Sequence, residues 1–208
     1  MRDTIFSLLD NMETLAAILV GAMLATGGAL FAEKIQDSRK KKQRQEDAAN
    51  AIGIIITTIL GSLHMFVRSR SIGEEWGTIT DMYLQNALRH MRWYEDNRHR
   101  LFDLADVPFR REILAEMLGL DFPIQGLVKA RAKMEQPDLT DEERLENKAR
   151  RDQLVLILGV FTGRVEALLD PLGKISGQSF AVNREALENM AAHASSTAIP
   201  EVGSEQST

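Results

Sequence analysis

Two long uncharged runs lie near the start of the chain, and a strongly charged segment separates them. The first run, residues 14–32, reads TLAAILVGAMLATGGALFA and lies between Glu13 and Glu33. About twenty apolar residues are needed to cross the hydrocarbon core of a bilayer as a helix, the form in which each backbone group finds a partner within its own segment. The pattern therefore predicts a transmembrane helix over residues 14–32.

A secretory signal peptide is the competing interpretation of this run. Such a signal begins with positive charge, whereas residues 1–13 hold one arginine against three carboxylates. A signal also has a short apolar core and a small-residue cleavage site, whereas this run is long and a dense basic cluster follows it closely. These features favour an anchor that stays in the mature protein.

The segment after the first run, residues 33–47, carries six Lys or Arg residues, and the stretch before the run carries one. The positive-inside rule therefore places the basic side in the cytoplasm and residues 1–13 outside the cell inner (plasma) membrane. Nuclear import or nucleic-acid binding is the alternative use of such a cluster, but the formal net charge of −5 argues against nucleic acid as a partner. The residues expected to contact anionic lipid headgroups are Arg39, Lys40, Lys41, Lys42 and Arg44.

Small residues recur every three or four positions within the first run. Such a stripe lets two helices approach closely inside a membrane, where the hydrophobic effect gives helix association no help. The pattern predicts self-association of the span, and so a homo-oligomer, through Ala17, Gly21, Ala25 and Gly28, with Ala29 as the alternative to Gly28.

Residues 48–67 form the second run, AANAIGIIITTILGSLHMFV, which has two interpretations. As a second span it would make a helical hairpin and send everything after residue 68 outside. Its strongly apolar residues favour insertion by roughly 3–6 kcal/mol, while its Asn, Thr, Ser and His side chains oppose it.

Two features favour a helix buried in a bundle instead. Residues 33–49 contain neither Pro nor Gly, so a continuous helix suits them better than the tight reversal of a hairpin. Polar or small residues also follow a three-or-four spacing along the second run, as expected for a helix among neighbours. These are Asn50, Gly53, Thr57, Gly61, His64 and Arg68.

The rest of the chain has the periodicity of helices. Residues 71–104 open with a candidate capping box, Ser71 with Glu74. The apolar stripe predicted for this segment is Trp76, Ile79, Tyr83, Ala87, His90, Tyr94 and Leu101.

Capping residues divide the remaining helices. Asp106 can cap a short helix over 108–119, with Pro108 in its first turn. Gly119 and the following Asp-Phe-Pro predict a stop and a second helix to about residue 135. The pair Thr140 and Glu143 predicts a capping box for a helix to about residue 169. The stripe of that helix is Leu154, Ile157 or Leu158, Phe161, Val165, Leu168 and Leu172.

No segment offers sustained strand alternation, so the predicted fold is all-α: an N-terminal transmembrane helix followed by an antiparallel helical bundle. The basic juxtamembrane helix covers residues 33–47 and the bundle residues 48–172. Residues 173–193 are expected to form a loop and a peripheral helix, and residues 194–208 a disordered tail.

Candidate chemistry is sparse. The chain has no cysteine, which excludes disulfides, thiolate metal sites and cysteine nucleophiles. Glu95 and His99 lie one helical turn apart, but a di-iron bundle needs Glu-x-x-His on paired helices, so a surface pair is favoured. His90, on the apolar stripe, is expected to be a hydrogen-bonded core histidine. The arginines around Trp93 are interpreted as a solvated helix face.

These observations predict a membrane-anchored helical interaction or scaffold module that faces the cytoplasm. No catalytic, metal or cofactor-binding residue is predicted, and the expected partners are the lipid bilayer, an unidentified protein and a second copy of the chain. The alternative is a two-span helical hairpin that oligomerises to perturb or cross the membrane.

Overall fold

The computed structural model describes residues 2–72 and 76–182, apart from the side chains of residues 2–19, 22, 25, 29 and 30. The fold is all-α, with four helices packed antiparallel, which confirms the predicted fold class. The elements are α1 (Arg2–Ile72), α2 (Thr78–Asn97), a 3-10 helix (Arg98–Asp103), α3 (Val107–Met134), α4 (Asp141–Ala167) and α5 (Leu169–Ser176).

The chain divides into two compact units, residues 1–44 and residues 45–208. In the first unit the described backbone belongs to α1, and all side chains of residues 31–44 are exposed. The second unit contains the helical bundle, to which α1 contributes its C-terminal part. Residues 33–47 are helical throughout, as their Pro- and Gly-free sequence favours.

The second apolar run supplies one wall of the bundle core. Seven of its aliphatic and aromatic side chains are fully buried or nearly so, at helical spacing. Its hydroxyl groups donate back to carbonyls one turn earlier, as Thr57 does to Gly53 and Ser62 to Thr58, so they need no partner from another helix. Residues 48–67 therefore form a bundle helix. The buried side chains are Ile52, Ile55, Ile56, Ile59, Leu60, Leu63 and Phe66.

Helix α2 buries a face that differs by one position from the predicted stripe. Ile79 is 48% exposed, and Thr80 and Leu84 are buried instead. The predicted cap is also wrong at Ser71, because α1 continues to Ile72 and the Ser71 hydroxyl donates to a carbonyl of its last turn. Glu74 lies outside the described residues. Predicted positions that are buried are Ala87, Tyr94 and Leu101.

Helix α3 confirms the predicted cap and corrects the predicted break. The Asp106 carboxylate accepts a hydrogen bond from the Phe109 N–H at 3.0 Å. The helix then runs without interruption through Gly119 and Pro123. Pro123 removes one intrahelical hydrogen bond, but it is buried in the core. Packing against neighbours outweighs that local penalty.

Helix α4 begins with the predicted capping box, in which Thr140 and Glu143 each accept from the other's backbone N–H. It packs antiparallel to α3. Four contacts of α3 with α4 set the register: Glu116 with Arg164, Gly119 with Phe161, Gly126 with Leu154, and the Ala130 carbonyl with the Asn147 amide.

Helix α4 ends at Ala167, and α5 follows directly. Gly177, with φ of +69°, ends α5 in the left-handed conformation that favours glycine. The Phe180 ring then packs over Gly53 of α1, where a side chain would clash with it. The predicted helix after residue 182 and the predicted tail, residues 194–208, lie outside the described residues.

Candidate functional site

The first unit presents apolar side chains to its surroundings. Val20, Met23, Leu24 and Phe31 are each more than half exposed on α1. Burying apolar surface away from water is favourable by about 25 cal/mol per Å², so this helix has surface available for an apolar environment. Among the described residues, one helix, Thr26–Ile72, is long and apolar enough to cross a membrane. Its most apolar window is half buried and lies in the second run rather than in this unit, because residues 33–44 carry eight charged side chains.

The basic cluster lies directly after this apolar part of α1. Arg39, Lys40, Lys41, Lys42 and Arg44 are all exposed. Consecutive residues point around the whole helix, since each advances by about 100°. Positive charge is therefore available on every side of α1 here, and contact of these residues with headgroups stays a prediction.

The predicted association stripe is only partly described. Gly21 and Gly28 are exposed, and nothing lies within 4 Å of a Cβ placed on either. The side chains of Ala17 and Ala25 lie outside the described residues. Self-association through these four residues stays a prediction.

His90 and His99 occupy different environments. The Nδ1 atom of His90 lies 3.2 Å from the Ser62 hydroxyl of α1, so the expected hydrogen bond is present, but the side chain is half-buried and lies outside the core. Burial, with a smaller effect of the neighbouring Arg89, lowers the pKa of His90.

His99 is exposed and faces a backbone carbonyl, while Glu95 pairs with Arg98 at 2.9 Å. Glu95 and His99 therefore have separate partners. In the described part of the chain, no group of three or more His, Asp or Glu side chains converges as a metal site would require.

Trp76 lies between two arginines from different helices. The guanidinium carbon of Arg70 is 4.9 Å from the ring centroid, and that of Arg151 is 4.6 Å away. Phe66 packs against the same ring at 5.9 Å, and Arg70 also pairs with Asp152 at 3.4 Å. We call Trp76, Arg70 and Arg151 the tryptophan clamp. It joins the end of α1, the α1–α2 connection and α4, and the predicted stripe identified only its aromatic member.

The outer face of α3 carries the most exposed apolar side chains of that helix. Leu118 is 73% exposed and Phe122 65% exposed, one turn apart. They lie at one end of a groove of about 500 Å³ between α3 and α4, whose other end holds Gly126, Lys129 and Arg150.

A second groove, of about 450 Å³, lies on the other side of α3, against α2. Asp121, Gln125 and Lys129 line both grooves. Burial raises the pKa of Asp121, which accepts a hydrogen bond from the Gln125 amide at 2.6 Å. The sequence does contain this surface, as Leu114, Leu118 and Phe122 at four-residue spacing. A predicted helix break at Gly119 hid that continuity.

A third cavity, of about 560 Å³, lies between the end of α1 and α4. His64 and Arg68 line it from α1, and Gly159 and Gly163 leave it open on the α4 side. The described residues thus offer an apolar and basic α1, an exposed apolar surface on α3 and one mixed cavity. Comparisons of the chain with protein-family models, with curated proteins and with solved structures found no match.

Proposed function

We propose that this chain is a membrane-anchored helical interaction module. Residues 14–32 hold it in the plasma membrane, and the bundle, residues 48–172, presents its surface to a protein partner in the cytoplasm. The observation that carries the proposal is the succession along one helix: α1 is apolar, then basic and exposed, then part of the bundle core.

The apolar part of α1 supplies the anchor. A helix that satisfies its own backbone hydrogen bonds can exchange water for hydrocarbon, and the exposed Val20, Met23 and Leu24 gain from that exchange. The basic cluster supplies orientation. Each Lys or Arg near an anionic surface contributes about 1 kcal/mol of attraction, while moving the cluster across the bilayer centre would cost several times as much.

The buried second run supports a single span over a hairpin. Its large side chains, such as Ile56, Ile59 and Leu63, are buried in the bundle core, so they are not available to face lipid as the side chains of a span would be. Moving residues 48–67 into lipid would expose the facing core side chains of the other helices to water, at about 25 cal/mol per Å² of apolar surface.

Anchoring serves an interaction module by confining it. A helical surface held at a membrane meets other membrane-associated proteins at a raised effective concentration, which strengthens binding without any new contact. The proposal gives the chain a binding role rather than a catalytic one.

A paired charge insertion tests which run is the anchor. The variant Val20→Arg with Leu24→Arg places two charges at the middle of the proposed span, at about 2.5–3.5 kcal/mol each. We expect the full-length variant to leave the membrane pellet after alkaline extraction. The matched control is Ile54→Arg, on the 46% exposed face of the second run, which should stay in the pellet. Release by Ile54→Arg with retention of the double variant would refute the proposed anchor.

A C-terminal tag tests the orientation. In spheroplasts of a bacterial host, the tag should resist added protease and become sensitive only after the membrane is permeabilised. Digestion of the tag in intact spheroplasts would contradict a cytoplasmic bundle and favour the two-span hairpin.

A further inference from the structure

The groove between α3 and α4 has unlike ends. At one end Leu118 and Phe122 project from the surface, both largely exposed. At the other end the Leu154 side chain packs over Gly126, and Lys129 and Arg150 line the groove. One end of the groove is thus apolar and the other end basic.

The charges along the groove are also unlike at its two ends. Asp121, Gln125 and Lys129 follow one another at four-residue intervals on α3, so a carboxylate and an ammonium group lie about 12 Å apart along the helix. Arg150 of α4 adds a second cation beside Lys129. Within the described residues neither Lys129 nor Arg150 has an ion-pair partner, and Asp121 has a hydrogen bond to Gln125 only.

A second copy turned by 180° brings the acidic end of its α3 surface to the basic end of the first copy's surface. When two copies face each other with their α3 helices antiparallel, positions equally distant from the midpoint lie opposite one another. With Gln125 at the midpoint, Asp121 of one copy faces Lys129 of the other. Phe122 of one copy then faces the end where the second copy has Gly126, Lys129 and Arg150. Leu118 lies opposite the small, exposed Ala132.

We propose that this chain forms a symmetric homodimer through the α3–α4 groove, with the two α3 helices antiparallel and Gln125 near the two-fold axis. A two-fold interface uses the same patch on both partners, so it requires a patch that is complementary on reversal. The groove meets that requirement in its charges, because Asp121 and Lys129 exchange places on reversal. A groove for an unrelated helix does not need such a charge pattern, which is why a second copy is the favoured occupant.

This interface differs from association through the span and does not depend on the proposed anchor. The two Phe122 rings and Leu118 side chains supply the apolar centre, where interface residues contribute most to affinity. The ion pairs at the rim contribute mainly to choice of partner and register.

A charge exchange tests the proposal on the full-length chain in detergent micelles, with the dimer measured by sedimentation. Asp121→Lys should raise the dissociation constant about tenfold or more, because cations then face Lys129 and Arg150. The variant Lys129→Glu with Arg150→Glu should weaken the dimer similarly. A mixture of the two variant proteins should recover dimers, since each supplies the charges that the other lacks. Recovery in the mixture also shows that both variants are folded.

Matched controls lie off the groove. Glu112→Lys and Lys148→Glu change charge at exposed positions of the same two helices and should leave the dissociation constant unchanged. Phe122→Ser should abolish the dimer, whereas Phe102→Ser, at a 76% exposed residue of the 3-10 helix, should not. Gly21→Leu, in the span, should leave this dimer intact.

A single cysteine gives a positional test, because the natural chain has none. Gln125→Cys should crosslink to its own copy with a short bis-maleimide, and Gln85→Cys on α2 should not. A monomer at all accessible concentrations would overturn the proposal. So would a dimer that is lost in Gly21→Leu but insensitive to the charge variants.

Discussion

Replacing Trp76 by leucine should destabilise the bundle by more than the lost volume explains, because the ring holds two guanidinium groups. Contacts of this kind contribute about 0.5–1 kcal/mol at exposed sites and about 2 kcal/mol when desolvated. Arg151 is only 4% exposed and the Arg70 side chain 14% exposed, so both contacts belong toward the upper part of that range. We expect Trp76→Leu to cost about 2–3 kcal/mol.

Trp76→Ala removes apolar packing as well, including the contact with Phe66 at 5.9 Å. Its expected cost is about 3–5 kcal/mol. Far-UV circular dichroism during urea unfolding of the full-length chain in micelles measures both variants. The control is Trp93→Leu, since Trp93 is 43% exposed and has no described contact with a cation over its ring. It should cost less than about 0.5 kcal/mol, as surface changes do.

A double-mutant cycle isolates the contact with Arg151. Trp76→Leu and Arg151→Met are measured singly and together, and the coupling free energy should be about 1–2 kcal/mol. Arg151 has further interactions, but the cycle cancels those that do not involve Trp76. A coupling below about 0.5 kcal/mol, the usual error of additivity, would refute the clamp as an energetic unit.

Three further predictions concern single positions in the bundle. Gly119→Ala should destabilise the bundle by about 1–3 kcal/mol, because the Phe161 ring fills the space of the new methyl group. Its control, Gly159→Ala, should stabilise the bundle by up to about 1 kcal/mol in thermal unfolding, because nothing lies within 4 Å of the new methyl group. Tyr94→Phe should leave stability unchanged or raise it by about 1 kcal/mol, since the buried Tyr94 hydroxyl has no hydrogen-bond partner among the described residues; a loss above about 1 kcal/mol would contradict this. The pKa of His90 is lowered in the folded state, so the folded protein favours the neutral ring. The contribution of neutral His90 to the free energy of unfolding is fully present above the usual pKa of 6.5 and is lost as the pH falls through the folded pKa. The free energy of unfolding should therefore fall less below pH 6.5 in His90→Gln than in the unmodified chain.

Local signals predicted the starts of α3 and α4 because those caps are decided by neighbouring residues, whereas the cap predicted at Ser71 was wrong because α1 continues past it. Asp106 needs only the Phe109 N–H, and Thr140 only Glu143, so four consecutive residues contain each interaction. The break predicted at Gly119 was wrong for the opposite reason. Glycine and proline weaken an isolated helix, but whether they end one depends on Phe161, forty-two residues away, which requires a glycine beneath its ring.

The candidate surfaces were harder to predict because they depend on pairs of helices. The two arginines of the tryptophan clamp are separated by eighty-one positions, and no periodicity within one helix brings them to one ring. The α3–α4 groove likewise needs the register of two helices before Phe122 and Arg150 can be assigned to the same surface. By contrast, the basic cluster can be located without any helix register, because its residues are close together in the sequence; they are exposed, and their contact with headgroups stays a prediction.

The two apolar runs of α1 have similar length and hydropathy, yet different physical arguments apply to them. In the second run, the hydroxyl groups of Thr57, Thr58 and Ser62 donate to carbonyls one turn earlier, an arrangement that is equally acceptable in lipid and in a protein core. Composition therefore does not separate a span from a core helix here. The distinction comes from what the apolar face contacts: Ile52 to Phe66 are enclosed by other helices of the same chain, whereas the side chains described between Val20 and Phe31 are exposed. An exposed apolar helix has a large free energy to gain from a bilayer, and a buried one has already gained it from its own fold.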